Sequence, residues 1–158
     1  AGIPSAGLFF VVGTFFIFLS RPFGGRLLDQ KGAFSVILPG GAAYLLGVCL
    51  IHRADSLSIF LLASGFYGLG AGLLLPALMT WMLNAVRAER RSSASATFYN
   101  MLDVGTSSGI MILGSVAGNM GYLTLYKYVA ILMGLFLLFA VAQHIFHPTA
   151  QTKDVKEN

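Results

Sequence analysis

Asp103 is the residue with the clearest chemical potential in this chain, because it is a carboxylate inside a long, otherwise uncharged run. Its neighbours at three- and four-residue spacing are Tyr99, Asn100, Thr106 and Ser107. On a helix these five side chains share one face, so they predict a polar stripe that suits the wall of a water-filled cavity. The chemistry expected there is contact with a substrate and exchange of a proton at the carboxylate. The alternative is a packing role, in which Asp103 accepts hydrogen bonds from a neighbouring helix.

A second concentration of charge lies in the stretch RPFGGRLLDQKG, residues 21–32. It follows residues 1–20 and leads into residues 32–51, two runs that contain no Asp, Glu, Lys or Arg. The stretch is predicted to be a turn between two helices. Either the charges of this turn have a functional role, or the turn is solvated and its charges only fix the topology of the chain. Its candidate functional residues are Arg21, Gly25, Arg26, Asp29 and Gly32.

Glycine pairs four residues apart form a third pattern. Small pairs at this spacing let helix backbones approach closely in a membrane, so a helix-packing role is predicted. The run GLGAG at 68–72 follows no strand and lies deep in an apolar segment, which excludes a phosphate-binding loop. The pairs are Gly68 and Gly72, Gly105 and Gly109, and Gly114 and Gly118.

The remaining reactive residue types do not form a recognisable site. His144 and His147 are three residues apart but have no further ligands nearby, so they are interpreted as interfacial histidines. Cys49 is the single cysteine, which excludes a disulfide framework. No pairing of a nucleophile with a base stands out. We therefore expect no enzymatic activity, no catalytic residue, no cofactor and no metal site.

Composition defines the environment in which these residues must work. Hydrophobic residues make up 56% of the 158 residues and charged residues only 10%, and the mean hydropathy is +0.78. A soluble domain carries far more charge than this. The formal net charge of +4 is not attributed to nucleic-acid binding, because the basic residues sit between apolar runs. The sequence therefore predicts an integral membrane protein embedded in a lipid bilayer.

Five uncharged or nearly uncharged runs are long enough to cross a bilayer, which takes roughly 20 apolar residues as a helix. The runs are continuous rather than alternating, so helices are favoured over the strands of a membrane barrel. We predict an all-α, polytopic helix bundle over residues 1–147 and a disordered cytoplasmic tail over 148–158. The predicted spans are about 3–20, 33–51, 57–84, 93–117 and 123–146.

The distribution of Lys and Arg orients the predicted bundle. Most of the basic residues lie in the turn after the first span, the turn after the third span and the C-terminal tail, whereas Arg53 and Lys127 lie on the opposite side. Basic loops stay in the cytoplasm. The N-terminal end is therefore expected outside and the C-terminus in the cytoplasm. On this topology Asp103 lies twelve positions after Arg91, near the bilayer midplane.

The charged turn resembles the loop signature of the major facilitator superfamily, G-x-x-x-D-[RK]-x-G-[RK]-[RK]. Gly25, Asp29 and Gly32 match it, whereas Gln30 and the pair at 33–34 replace basic residues. This form is similar to the weaker copy of the motif, between helices eight and nine. The segment GFYGLGAGLLLPALMTWML (65–83) resembles helix ten. The segment ERRSSASATFYNMLDVGTSSGIMILGSVAG (89–118) resembles the ten–eleven loop and helix eleven of exporter-type members.

The resemblance implies that the chain is helices eight to twelve of a secondary transporter, with its N-terminal half as a missing partner. It further implies proton-coupled export of drugs or other small amphipathic molecules, in a bacterial plasma membrane. In such proteins the loop acts as a breakable cytoplasmic latch. Asp29 can then lie at the positive N-terminus of a neighbouring helix, while the arginines pair with acidic groups or lipid phosphates.

Two alternatives remain open at this point. The first keeps the family but changes the cargo to a sugar, metabolite or metallophore. The second is a free-standing five-span subunit that assembles with a partner through exposed small-residue faces. Proton coupling is a hypothesis that rests on Asp103 alone.

Overall fold

The computed structural model describes residues 3–146 of the chain, so the predicted tail and His147 lie outside the described residues. Within that range the backbone forms five α-helices and a short 3-10 turn, without a strand. All five helices are long and apolar enough to cross a membrane, which confirms the all-α, five-span fold class. The elements are α1 (Ile3–Lys31), α2 (Phe34–His52), α3 (Leu57–Asn84), the 3-10 turn (Ala88–Arg90), α4 (Arg91–Met120) and α5 (Tyr122–Phe146).

The end of the first helix differs from the prediction. The stretch expected to be a turn after Ser20 is helical, and α1 continues through it to Lys31 with Pro22 inside the helix. A proline removes one helical hydrogen bond but leaves the flanking turns able to form. The actual turn is confined to Gly32 and Ala33, where Gly32 adopts a φ of 80°. Gly25 therefore lies in a helix, and Gly32 alone makes the sharp turn.

Helix α3 lies against α1 through small residues. A methyl group placed on Gly68 would collide with the backbone of Gly13, and one on Gly72 would collide with the hydroxyl of Ser20. Close to this contact the fully buried Ser64 donates a hydrogen bond from Oγ to the carbonyl of Phe9, at 2.5 Å. Because the glycines have no side chains, the backbones of α1 and α3 can approach closely, and the hydrogen bond from Ser64 adds a polar contact between them.

The opposite side of α3 packs in the same way against α2. A methyl group on Gly70 would lie 2.5 Å from the amide nitrogen of Tyr44 and 2.6 Å from the carbonyl oxygen of Gly40. A methyl group on Gly47 would lie 2.6 Å from the amide nitrogen of Tyr67. Helix α3 is therefore held between α1 and α2 by glycines on two of its faces.

An apolar cluster closes one end of this three-helix unit. Ala33, Val36 and Ile37 are essentially inaccessible, and the ring of Phe34 lies 5.3 Å from that of Trp81 on α3. Ala140 brings α5 into the same cluster. The turn at Gly32 is therefore anchored to α3 and α5 immediately after the chain reverses.

Helix α4 is less buried than the other four helices. It packs beside α5 and touches α3, and none of its residues is buried. Most of its surface, including its polar residues, is available to a partner, to lipid or to water.

Replacing Gly70 with Ala should destabilise the bundle by roughly 1–3 kcal/mol, because the added methyl group meets backbone atoms that cannot move aside. Gly134→Ala on α5 is the matched control, since a methyl group there meets no atom within 4 Å. The free energy of unfolding, measured by helical circular dichroism during SDS titration of detergent micelles, checks this. Equal stability of the two variants would contradict the close α2–α3 packing.

Gly32→Ala should cost about 1–2 kcal/mol, because an L-residue is strained at the positive φ of this turn. Gly25→Ala should be neutral or slightly stabilising, because that position is helical and open. The same unfolding assay separates the two variants. A larger loss for Gly25→Ala than for Gly32→Ala would show that the turn lies inside the stretch that the structure shows as helix.

Candidate functional site

The predicted polar stripe lies on the exposed surface of α4. Asp103, Asn100 and Ser107 are exposed and make no side-chain hydrogen bond with any residue that the structure describes. Thr106 donates from Oγ1 to the carbonyl of Leu102 on its own helix, at 2.7 Å. Tyr99 reaches another helix, its hydroxyl lying 3.6 Å from the sulfur of Met79 on α3. The packing role for Asp103 therefore finds no partner among residues 3–146.

A groove of about 910 Å³ runs beside this stripe, between α4 and residues of α2, α3 and α5. Tyr44, Tyr67 and Tyr122 line one wall of the groove. Of the predicted stripe only Thr106 lines it, so Asp103 lies on the neighbouring flank of α4. The wall that α4 contributes is unusually free of side chains, because it includes Gly105, Gly109, Gly114 and Gly118.

The six predicted packing glycines thus fall into two groups. Gly68 and Gly72 lie in direct contact with α1, as described above. The four glycines on α4 have open space around them, since a methyl group at any of them would meet no atom within 4 Å. A packing role for these four stays a prediction that requires a further helix.

The residues of the predicted loop motif lie on the exposed surface at the end of α1. Arg21, Gly25, Arg26 and Asp29 are all exposed, and Gly32 makes the turn. Asp29 forms no ion pair within 4.0 Å and no side-chain hydrogen bond with the described residues. The latch role therefore also stays a prediction, whose partner would have to come from another part of a transporter.

A second, smaller cavity brings residues of the charged end of α1 together with a residue of the polar stripe on α4. This crevice of about 390 Å³ is lined by Arg21 and Gly25 of α1 and by Tyr99 of α4, over a floor formed by α3. The sequence contains no signal for this juxtaposition, because it depends on how α1 and α4 are placed on either side of α3.

Two further reactive residues, His144 and Cys49, lie in the described part of the chain. The ring of His144 lies 5.1 Å from that of Phe34 in the apolar cluster. Cys49 is exposed on α2. No group of three or more His, Cys, Asp or Glu side chains within residues 3–146 is arranged to hold a metal ion.

Comparison with known proteins identifies the bundle. Residues 1–157 match the sequence profile of the Major Facilitator Superfamily. The chain belongs to the major facilitator superfamily. This superfamily chain is also similar in fold to a crystal structure of the peptide transporter POT in complex with alafosfalin, with a TM-score of 0.75 and 19% sequence identity. The match covers 89% of this chain and 30% of that structure, and it shows the fold alone.

Two curated relatives add a sequence likeness within the superfamily. The chain is 33% identical over 99 residues to "Multidrug resistance protein Stp" of Mycobacterium tuberculosis, in strain CDC 1551 / Oshkosh and in strain ATCC 25618 / H37Rv. The aligned region is 60% of this chain and 18% of the relative. This chain therefore spans less than a fifth of the length of the curated relatives that it matches.

The exposed stripe makes a prediction about water access. In a Cys49→Ser background, Ser107→Cys should react with a charged, membrane-impermeant maleimide, because a thiol forms its reactive thiolate only where water reaches it. Leu138→Cys on the exposed apolar surface of α5 is the control and should react far more slowly. Labelling in lipid vesicles, quantified by mass spectrometry, gives both rates. Equal, slow labelling would place the stripe against lipid and contradict the cavity wall.

Proposed function

We propose that this chain forms helices eight to twelve of a proton-coupled exporter of drugs or other small amphipathic molecules. Membership of the superfamily supports the transporter part, and the likeness to a protein named for multidrug resistance supports the class of cargo. The observation that carries the proposal is the polar stripe of α4, an unpaired carboxylate flanked by hydroxyl and amide groups on a helix that nothing in residues 3–146 buries.

The proposed mechanism is alternating access, in which two halves of the transporter rock around a site near the bilayer midplane. The unit of α1, α2 and α3 acts as the rigid part of this half. The exposed face of α4 contributes Asp103 and its polar neighbours to the cavity between the halves. Asp103 takes up a proton in one orientation and releases it in the other, while Tyr99, Asn100, Thr106 and Ser107 contact the cargo.

The charged end of α1 has a separate proposed role on the cytoplasmic side. Asp29 and Arg26 lie on the last turns of a continuous helix, so a latch made with the opposite half would be part of a rigid rod. The proposed membrane is the bacterial plasma membrane, with the N-terminal end outside and the C-terminus in the cytoplasm.

Asp103→Asn in the full-length transporter should abolish uphill export, because an amide has the shape of the carboxylate but cannot carry its proton. For a neutral dye exported in exchange for one proton, each unit of ΔpH sustains about a tenfold accumulation. We expect the variant to show no ΔpH-driven accumulation of a fluorescent dye in inverted vesicles, while counterflow of the dye persists.

Asp55→Asn is the matched control, since Asp55 is an exposed carboxylate in the loop between α2 and α3. It should leave accumulation at the wild-type level. Wild-type accumulation by Asp103→Asn would overturn the assignment of proton coupling to this residue.

A further inference from the structure

The crevice between α1 and α4 is a built cavity that shares only Tyr99 with the polar stripe of the proposed mechanism. The Cα atoms of α1 and α4 stay more than 8 Å apart in the described part of the chain, and α3 lies beneath the gap between them. Leu75, Pro76 and Met79 of α3 form its floor. Phe98, Tyr99 and Leu102 of α4 form one wall, opposite Arg21 and Gly25 of α1.

Arg21 gives the crevice its charge. A guanidinium stays protonated at any physiological pH, and no acidic side chain lines this cavity. No carboxylate among the described residues lies within 4.0 Å of it either. The charge is therefore available to an anion from outside the described chain, and a guanidinium binds a carboxylate, sulfonate or phosphate by two parallel hydrogen bonds.

Most of the remaining lining is apolar or aromatic. The rings of Phe98 and Tyr99 are 5.8 Å apart and nearly perpendicular, and the Tyr99 hydroxyl lies against the sulfur of Met79. Such a surface takes up an apolar or aromatic body, while the Tyr99 hydroxyl and the guanidinium supply the polar contacts. The combination favours a molecule with an anionic group at one end and an aromatic body at the other.

Gly25 provides the room for such a molecule. It lies one helical turn beyond Arg21 on the same face of α1, and a methyl group placed there would meet no atom within 4 Å. A larger side chain at this position would occupy the crevice without disturbing the packing of α1 against α3. The glycine thus keeps the space beside the guanidinium open.

We infer that this crevice is a binding subsite for an aromatic organic anion, with the acidic group on Arg21 and the aromatic body against Phe98, Tyr99 and Met79. The inference deepens the proposed function, on which it rests for calling the bound molecule a cargo. At 1.5 Å per residue Arg21 lies roughly 15 Å from the end of α1 at Lys31, so the subsite is near the cytoplasmic boundary of the hydrocarbon core. An anion arriving from the cytoplasm meets it before the midplane carboxylate.

The experiment measures equilibrium binding of dansylglycine, an aromatic carboxylate, to the full chain in neutral detergent micelles by fluorescence anisotropy. Arg21→Gln should weaken binding about tenfold or more, because the charged hydrogen bonds are lost. Arg90→Gln should bind as the wild type does, since Arg90 is an exposed arginine just before α4 that lies outside the crevice. Dansylglycinamide, which lacks the charge, should bind weakly and equally to the wild type and to Arg21→Gln.

Gly25→Leu tests the space rather than the charge and should prevent binding of both probes. Circular dichroism verifies the helical content of each variant, and the comparison of the two arginine variants decides the question if Gly25→Leu is poorly folded. Equal losses for Arg21→Gln and Arg90→Gln would reduce the effect to general surface charge and overturn the proposal. Displacement of dansylglycine by phosphatidylglycerol at low mole fraction, dependent on Arg21, would assign the crevice to a lipid headgroup and would also overturn it.

This assay is independent of proton-coupled export, because it uses no gradient. Arg21-dependent binding in a full-length protein that fails to export would contradict the proposed function and leave the subsite intact. Export that depends on Asp103, together with Arg21→Gln binding like the wild type, would contradict the subsite and leave the proposed function intact.

Discussion

The close approach of α3 to two neighbouring helices is the contact on which the rest of this bundle depends. In lipid the hydrophobic effect gives helices little reason to associate, so association relies on van der Waals contact over a smooth interface and on a few hydrogen bonds. Glycines on both sides of α3 provide that smoothness, and Ser64 adds a hydrogen bond to the carbonyl of Phe9. The short turn at Gly32 connects α1 and α2 on the two sides of α3, and α5 packs against α2.

Helix α4 differs from α3, because its glycines have the same spacing but make no close contact with a neighbouring helix. Gly105 and Gly109 repeat the spacing of Gly68 and Gly72, yet open space surrounds them. A helix that holds a carboxylate and several hydroxyl groups gains little from burial in an apolar interior. Leaving it at the edge makes its polar surface available for function and leaves its glycines available to a further helix.

The fold class could be predicted because length and apolarity are properties of the chain itself. The end of α1 could not, because charge and Pro22 suggest a turn when the bilayer is assumed to set the length of every helix. Outside the hydrocarbon a helix accepts charged side chains freely, and one proline costs it a single hydrogen bond. The stripe around Asp103 was predictable from helical periodicity, whereas the meeting of Arg21 with Tyr99 depends on tertiary placement. Identical glycine spacings on α3 and α4 likewise carry no information about which of them meets a neighbour.

Helix α1 is continuous from Ile3 to Lys31, so a rotation of this helix moves its charged end. Its 29 residues extend about 43 Å at 1.5 Å per residue, well beyond a hydrocarbon core of roughly 30 Å. Asp29 lies sixteen residues beyond Gly13, or roughly 24 Å at 1.5 Å per residue. A tilt of about 10° around the level of Gly13 would therefore move Asp29 by roughly 4 Å. Because Gly13 is packed tightly against Gly68, α1 would tilt together with α3, and the charged end of α1 would move by more than the length of a hydrogen bond.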